Sequence, residues 1–81
     1  MSYYSYILKS EQTGKYYYGS TCNIEQRLAA HNKGKVRSTK GGRPWRLHYK
    51  EEFETRSAAY SREQFYKTIE GYRYLKDQKI T

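Results

Sequence analysis

The chain has 81 residues, and its 16 Lys and Arg against 8 Asp and Glu leave a formal net charge of +8. That length suits one domain over residues 1–81, and so basic a domain is expected to meet a polyanion, nucleic acid above all. No apolar run nears the roughly 20 residues of a membrane span, the first residues do not read as a signal peptide, and the lone Cys22 excludes an internal disulfide or a Cys-clustered zinc site. A soluble, cytoplasmic domain is expected, with much of its core built from the 11 tyrosines.

In chain order, Tyr3–Lys9 is aromatic and β-favouring and reads as a strand, and Tyr16–Gly19 reads as a second. The polar run between them ends in Gly14, which suits a hairpin loop. Asn23 is a good helix N-cap, with Gln26 placed to complete a capping box, and Gly34 marks the stop of a helix over about Asn23–Lys33. Ile24, Leu28 and His31 share one stripe of that helix, with Arg27 at its edge one turn before His31. Residues 33–46 carry Lys33, Lys35, Arg37, Lys40, Arg43 and Arg46 without one acid, and Gly41, Gly42 and Pro44 argue against regular structure there. Trp45–Phe53 alternates as a third strand, with Trp45, Leu47 and Tyr49 on one face and Arg46, His48 and Lys50 on the other. Thr55 or Ser57 caps a second helix over about Ser57–Thr68, whose stripe is Ala58, Arg62, Phe65, Tyr66 and Ile69. Gly71 is expected to interrupt it before a short terminal turn or helix over Tyr72–Asp77.

Three features carry possible chemistry. Tyr6 and Tyr17 can meet across the hairpin, although β-propensity alone also accounts for tyrosines in strands. Gly19 weakens its strand, which marks either the strand's end or a close approach by backbone or ligand. Arg27, His31 and Glu63 are each unremarkable surface or boundary residues when taken singly. Together they supply a phosphate clamp, a proton-transfer group and a hard-cation ligand, the parts of metal-assisted phosphodiester hydrolysis. Cys22 lies near a helix N-terminus, but nothing else fits a cysteine enzyme. Lys67, one turn after Glu63, is expected to form an ordinary i,i+4 pair with it.

The run Tyr-Ile-Leu-Lys-Ser, then Gly-Lys-Tyr-Tyr-Tyr-Gly-Ser-Thr, then Asn-Ile-Glu-Gln-Arg-Leu-Ala-Ala-His-Asn resembles the GIY-YIG nuclease family. With Pro44–Ala59 and Arg62-Glu63, it is similar to that family's small stand-alone, single-domain members, from residue 3 to about residue 70. The resemblance implies an α+β fold, a three-stranded antiparallel sheet flanked by helices. It implies catalytic roles for Tyr6, Tyr17, Arg27 and His31, a Mg²⁺ or Mn²⁺ ion on Glu63, and a structural role for Gly19. Tyr6 would help deprotonate the attacking water, with the cation and Arg27 favouring its phenolate. Ser5 stands where the name-giving glycine would be, Tyr18 replaces the usual isoleucine, and no asparagine follows Asn32.

The expected function is metal-dependent endonuclease action on DNA, branched or damaged DNA and a role in repair being the candidates. The alternative is a non-catalytic, basic nucleic-acid-binding module of the same fold. In either case the six basic residues of 33–46 would track phosphates without reading bases, DNA being favoured over RNA. No recognition helix is evident, so a protein partner would supply sequence or structure specificity.

Overall fold

The computed structural model describes residues 1–81, with strands β1 (Tyr3–Ser10), β2 (Tyr16–Thr21) and β3 (Trp45–Phe53) in one sheet. All pairing is antiparallel and the order is β2-β1-β3, so the first strand is central. Helices α1 (Ile24–Asn32), α2 (Arg56–Tyr66) and α3 (Ile69–Asp77) flank the sheet. This is the α+β architecture expected from the sequence.

A central strand buries both faces, and Ser5, Tyr6, Ile7 and Leu8 are all buried. Two small cores result. Tyr6, Leu8 and Trp45 pack with Tyr17, Ile24, Leu28 and Leu47 beneath α1. On the opposite face, Ile7, Tyr66 and Leu75 pack with Tyr16, Tyr18, Tyr49, Phe65, Tyr74 and Ile80 beneath α2 and α3. The second core is largely aromatic because the chain has few aliphatics to offer. Its buried tyrosine finds partners: the Tyr66 hydroxyl lies 3.1 Å from Ser5 Oγ and donates to Glu51, which also receives Arg62. Ser5, at the position of the missing family glycine, thus has a structural use in this chain.

Local signals set the ends of α1. The Asn23 side chain accepts from the Gln26 N–H, but the return half of the capping box is not made; the Asn23 N–H donates to Thr21 Oγ1 instead. Gly34 adopts φ 77°, and the N–H groups of Gly34 and Lys35 reach back to His31 O and Ala30 O. That left-handed closure is what a glycine after a helix permits.

Three expectations are corrected. The β1–β3 register shifts between Ile7 and Leu8, which pair with Tyr49 and Leu47, leaving His48 as the extra residue of a bulge. Alternation reverses there. Trp45 and Leu47 remain under α1, but Tyr49 joins the opposite core, and Lys50 comes to lie over the Tyr4 ring. The basic segment is not wholly irregular either, for Arg37–Gly42 forms a 3-10 helix. Its Thr39 is buried, Trp45 Nε1 donates to Thr39 O, and Ser10 Oγ donates to Gly42 O. Finally, the break between the last two helices falls at Lys67-Thr68, not at Gly71. Thr68 caps α3 by accepting from the Gly71 N–H, and Gly71 sits in the first turn pressed against α2. A Cβ there would lie 1.8 Å from Phe65 O, so this glycine serves a close approach. Ile69 accordingly leaves the predicted stripe and is 73% exposed.

Candidate active site

Cross-strand pairing sets Tyr6 opposite Gly19. The Tyr6 ring lies over that glycine, where a Cβ would come within 2.4 Å of the phenolic oxygen. No other residue leaves room for the ring in this position. On the same face, the Tyr17 ring centroid lies 6.4 Å from that of Tyr6 and 4.8 Å from that of His31. α1 then lowers Arg27 and His31 onto the two rings, as the i,i+4 spacing requires.

His31 is fully buried and both ring nitrogens are engaged: Nε2 with the Tyr6 hydroxyl at 3.1 Å, Nδ1 with Thr39 Oγ1 at 2.8 Å. Thr39 has one hydroxyl hydrogen and donates it to Val36 O at 3.2 Å. It must therefore accept from Nδ1–H, which leaves Nε2 with its lone pair and makes Tyr6 the donor. The order is Tyr6 O–H to Nε2, then Nδ1–H to Thr39.

Burial, with the Arg27 charge adding to it, lowers the imidazole to about 4, so His31 is neutral at pH 7. Burial pushes the Tyr6 phenol up to about 12, outweighing the nearby Arg27 guanidinium, which pulls it down. Arg27 thus pulls towards the phenolate, the direction expected of it, but without a cation burial weighs more and the hydroxyl keeps its proton. Arg27 is itself raised, chiefly by the Tyr6 hydroxyl near it.

Glu63 projects from α2 to the β2 edge, where Ser20 Oγ donates to Oε1 at 2.8 Å and Lys67 Nζ to Oε2 at 2.8 Å. Ser20 follows Gly19 and so projects from the other face of β2. Glu63 reaches the tyrosine cluster around the strand edge through its charge, which contributes to raising Tyr6. The structure therefore gathers Tyr6, Tyr17, Arg27 and His31 into one contact set, with Glu63 at its flank.

The six basic residues of 33–46 are all exposed, but they are not equivalent. Arg43 Nε donates to Lys40 O, tying it to the 3-10 helix. Arg46 pairs with Lys9 on the sheet face away from Trp45 and α1. Lys33, Lys35, Arg37 and Lys40 remain on the segment that carries Thr39. Sequence reasoning missed Thr39 and Ser20, the partners of His31 and Glu63. Neither has a local signature, since a threonine amid lysines and a serine ending a strand are ordinary.

The GIY-YIG catalytic domain model matches residues 2–74, and the chain belongs to that family, whose domain is a nuclease domain. Its nucleases generally depend on a divalent metal and act on nucleic acid, DNA in general. The chain is similar to the UPF0213 protein of Staphylococcus haemolyticus, 41% identical over 75 residues, covering 91% of this chain and 90% of that one. It is also similar to a UPF0213 protein of Bacillus licheniformis, 42% identical over 69 residues, or 84% of this chain and 70% of that one. The solution NMR structure of the UPF0213 protein of Bacillus halodurans superposes with a TM-score of 0.57 at 29% identity, covering 98% of this chain and 86% of that one.

Proposed function

We propose that the protein is an endonuclease hydrolysing DNA phosphodiester bonds, with Tyr6, Tyr17, Arg27 and His31 as catalytic residues and Glu63 holding Mg²⁺ or Mn²⁺. The observation that carries this reading is the directed chain from Tyr6 through His31 to Thr39, set beside a guanidinium. Every member is hydrogen-bonded, so the chain is buried at little cost and holds a proton donor and an acceptor in a fixed order.

Glu63 and Ser20 offer hard oxygen donors at a partly open edge, and no three His, Cys, Asp or Glu residues cluster to form a closed cage. That set fits an ion such as Mg²⁺, which takes one or two carboxylates and keeps waters and phosphate oxygens as its other ligands. When bound, the cation supplies Lewis-acid polarisation of the phosphate and acidifies nearby water. The chain's own residues do the rest. The attacking water gives its proton to the Tyr6 oxygen while Tyr6 passes its own proton to His31 Nε2. The resulting hydroxide forms the new P–O bond as the ester bond to the leaving oxygen breaks. Tyr6 works in this way from its neutral form, consistent with its raised pKa. Arg27 pairs with the phosphoryl oxygens, and Tyr17 orients water and phosphate. A phosphate on Arg27 also cancels one of the two causes that lower His31, making Nε2 more basic once substrate is present.

Lys33, Lys35, Arg37, Lys40, Arg43 and Arg46 supply the sequence-independent phosphate contacts. Branched or damaged DNA, a protein partner that confers specificity and a cytoplasmic location complete the reading. No helix is long and apolar enough to cross a membrane.

Binding and cleavage of linear, nicked and branched DNA are to be measured side by side, with and without Mg²⁺. Glu63→Ala should lose metal-dependent cleavage and keep binding, since it removes a carboxylate and no positive charge. Tyr6→Phe should lose cleavage by about 10²-fold or more, the order expected for a general base. Normal cleavage by Glu63→Ala would remove the metal assignment. If the wild type cleaves neither DNA nor RNA, the non-catalytic binding module is the correct reading.

A further inference from the structure

The carboxylate assigned to the cation is already neutralised by the protein itself. Both Glu63 oxygens are engaged, Oε1 by Ser20 and Oε2 by Lys67 Nζ at 2.8 Å. An exposed i,i+4 pair is usually a minor helix contact, but this one is lopsided. The Glu63 side chain is only 13% exposed and is anchored across the fold to β2, whereas the Lys67 side chain is 46% exposed. The carboxylate is the anchored, shielded partner and the ammonium the solvent-exposed one. Lys67 is also the C-cap of α2, so its backbone ends the helix while its side chain reaches back one turn. At that position its charge is favoured by the helix dipole, whichever anion it faces.

We infer that Lys67 is a resident place-holder for the divalent cation, and that it yields Glu63 only when a nucleic-acid phosphate arrives. This rests on the proposed role of Glu63 as metal ligand. In the free protein, an incoming Mg²⁺ must displace an ammonium from Oε2 and approach a chain of net charge +8, with a single carboxylate as reward. A phosphate changes each of these terms. It brings negative charge, supplies oxygen ligands to the ion, and offers Lys67 Nζ a second anion one side-chain swing away. Metal loading thereby becomes coupled to substrate binding, and free protein is kept from holding an armed cation.

The test is Mn²⁺ titration of the full ¹⁵N-labelled chain, followed by paramagnetic broadening of the Ser20 and Glu63 amides, with and without a short DNA duplex. Lys67→Met keeps the aliphatic stem and removes the charge. It should tighten Mn²⁺ binding to the free protein by roughly tenfold, as expected for deleting a positive charge a few ångströms from the ion. Lys67→Arg should remain as weak as wild type, and the advantage of Lys67→Met should shrink once DNA is present. If wild type and Lys67→Met bind Mn²⁺ equally well at Glu63 without DNA, the place-holder inference is overturned and the metal assignment stands. If neither amide broadens in any variant, even with DNA, both the inference and the metal assignment fall.

Discussion

His31 should make the fold sensitive to mild acid, by an amount that follows from its surroundings. Folded, its imidazole is held at about 4 by burial and by Arg27; unfolded, it returns to its ordinary 6.5. Between these values the unfolded chain takes up a proton that the folded chain refuses. The contribution of His31 is therefore fully present above about pH 6.5 and is lost as pH falls towards about 4. At roughly 1.4 kcal/mol per tenfold difference in proton affinity, the whole loss is about 3 kcal/mol. About 2 kcal/mol of it should be gone by pH 5, before most carboxylates titrate. That is a large fraction of the total for a domain of this size, for which about 5–15 kcal/mol is typical. Urea unfolding followed by the fluorescence of buried Trp45, at about pH 7 and about pH 5, reads the difference directly. His31→Gln should flatten this dependence, and His48→Gln should preserve it. Parallel pH dependence in wild type and His31→Gln, or a His31 ring proton that titrates near 6.5, would refute the reasoning.

Gly19→Ala should drive the Tyr6 hydroxyl off His31, because the added Cβ would lie 2.4 Å from it. Cleavage should fall by at least about tenfold, since displacing a catalytic group by about 1 Å can cost more than that; unchanged activity would sink the packing argument. Gly71→Ala should cost about 2 kcal/mol or more in chemical denaturation, because α2 and α3 must separate to admit the methyl group. A stability equal to wild type would mean that the two helices are not held this closely in solution. Neutralising Lys33, Lys35, Arg37 and Lys40 together should lower the slope of log affinity against log salt by up to about 3.6, equally for all DNA sequences. An unchanged slope would mean that these side chains are only solvated.

The site was more legible than its environment. Strand alternation sufficed to put Tyr6, Tyr17 and Gly19 on one face, and helical spacing to set Arg27 beside His31. Both are periodicities that any backbone of that class must obey. The motifs likewise singled out Glu63, and helical spacing its i,i+4 partner Lys67, but not Ser20, which comes from a strand 43 residues away. A hydrogen bond between distant segments leaves no periodic trace.

By itself, then, the sequence determined the three strands and the α-helices, most of their ends and the face on which Tyr6 and Tyr17 lie, because capping, alternation and turn chemistry act within a few residues. Tertiary structure decided what depends on packing between segments. The bulge at His48 reversed the predicted side of Tyr49, since register is settled jointly by two strands. Gly71 looked like a breaker and proved to be a contact, because its lack of a side chain matters only where another helix presses on it. The protonation of the site also belongs to the fold. Tyr6 and His31 move away from their ordinary values, to about 12 and about 4, because folding removes both from water, and no local pattern encodes that burial.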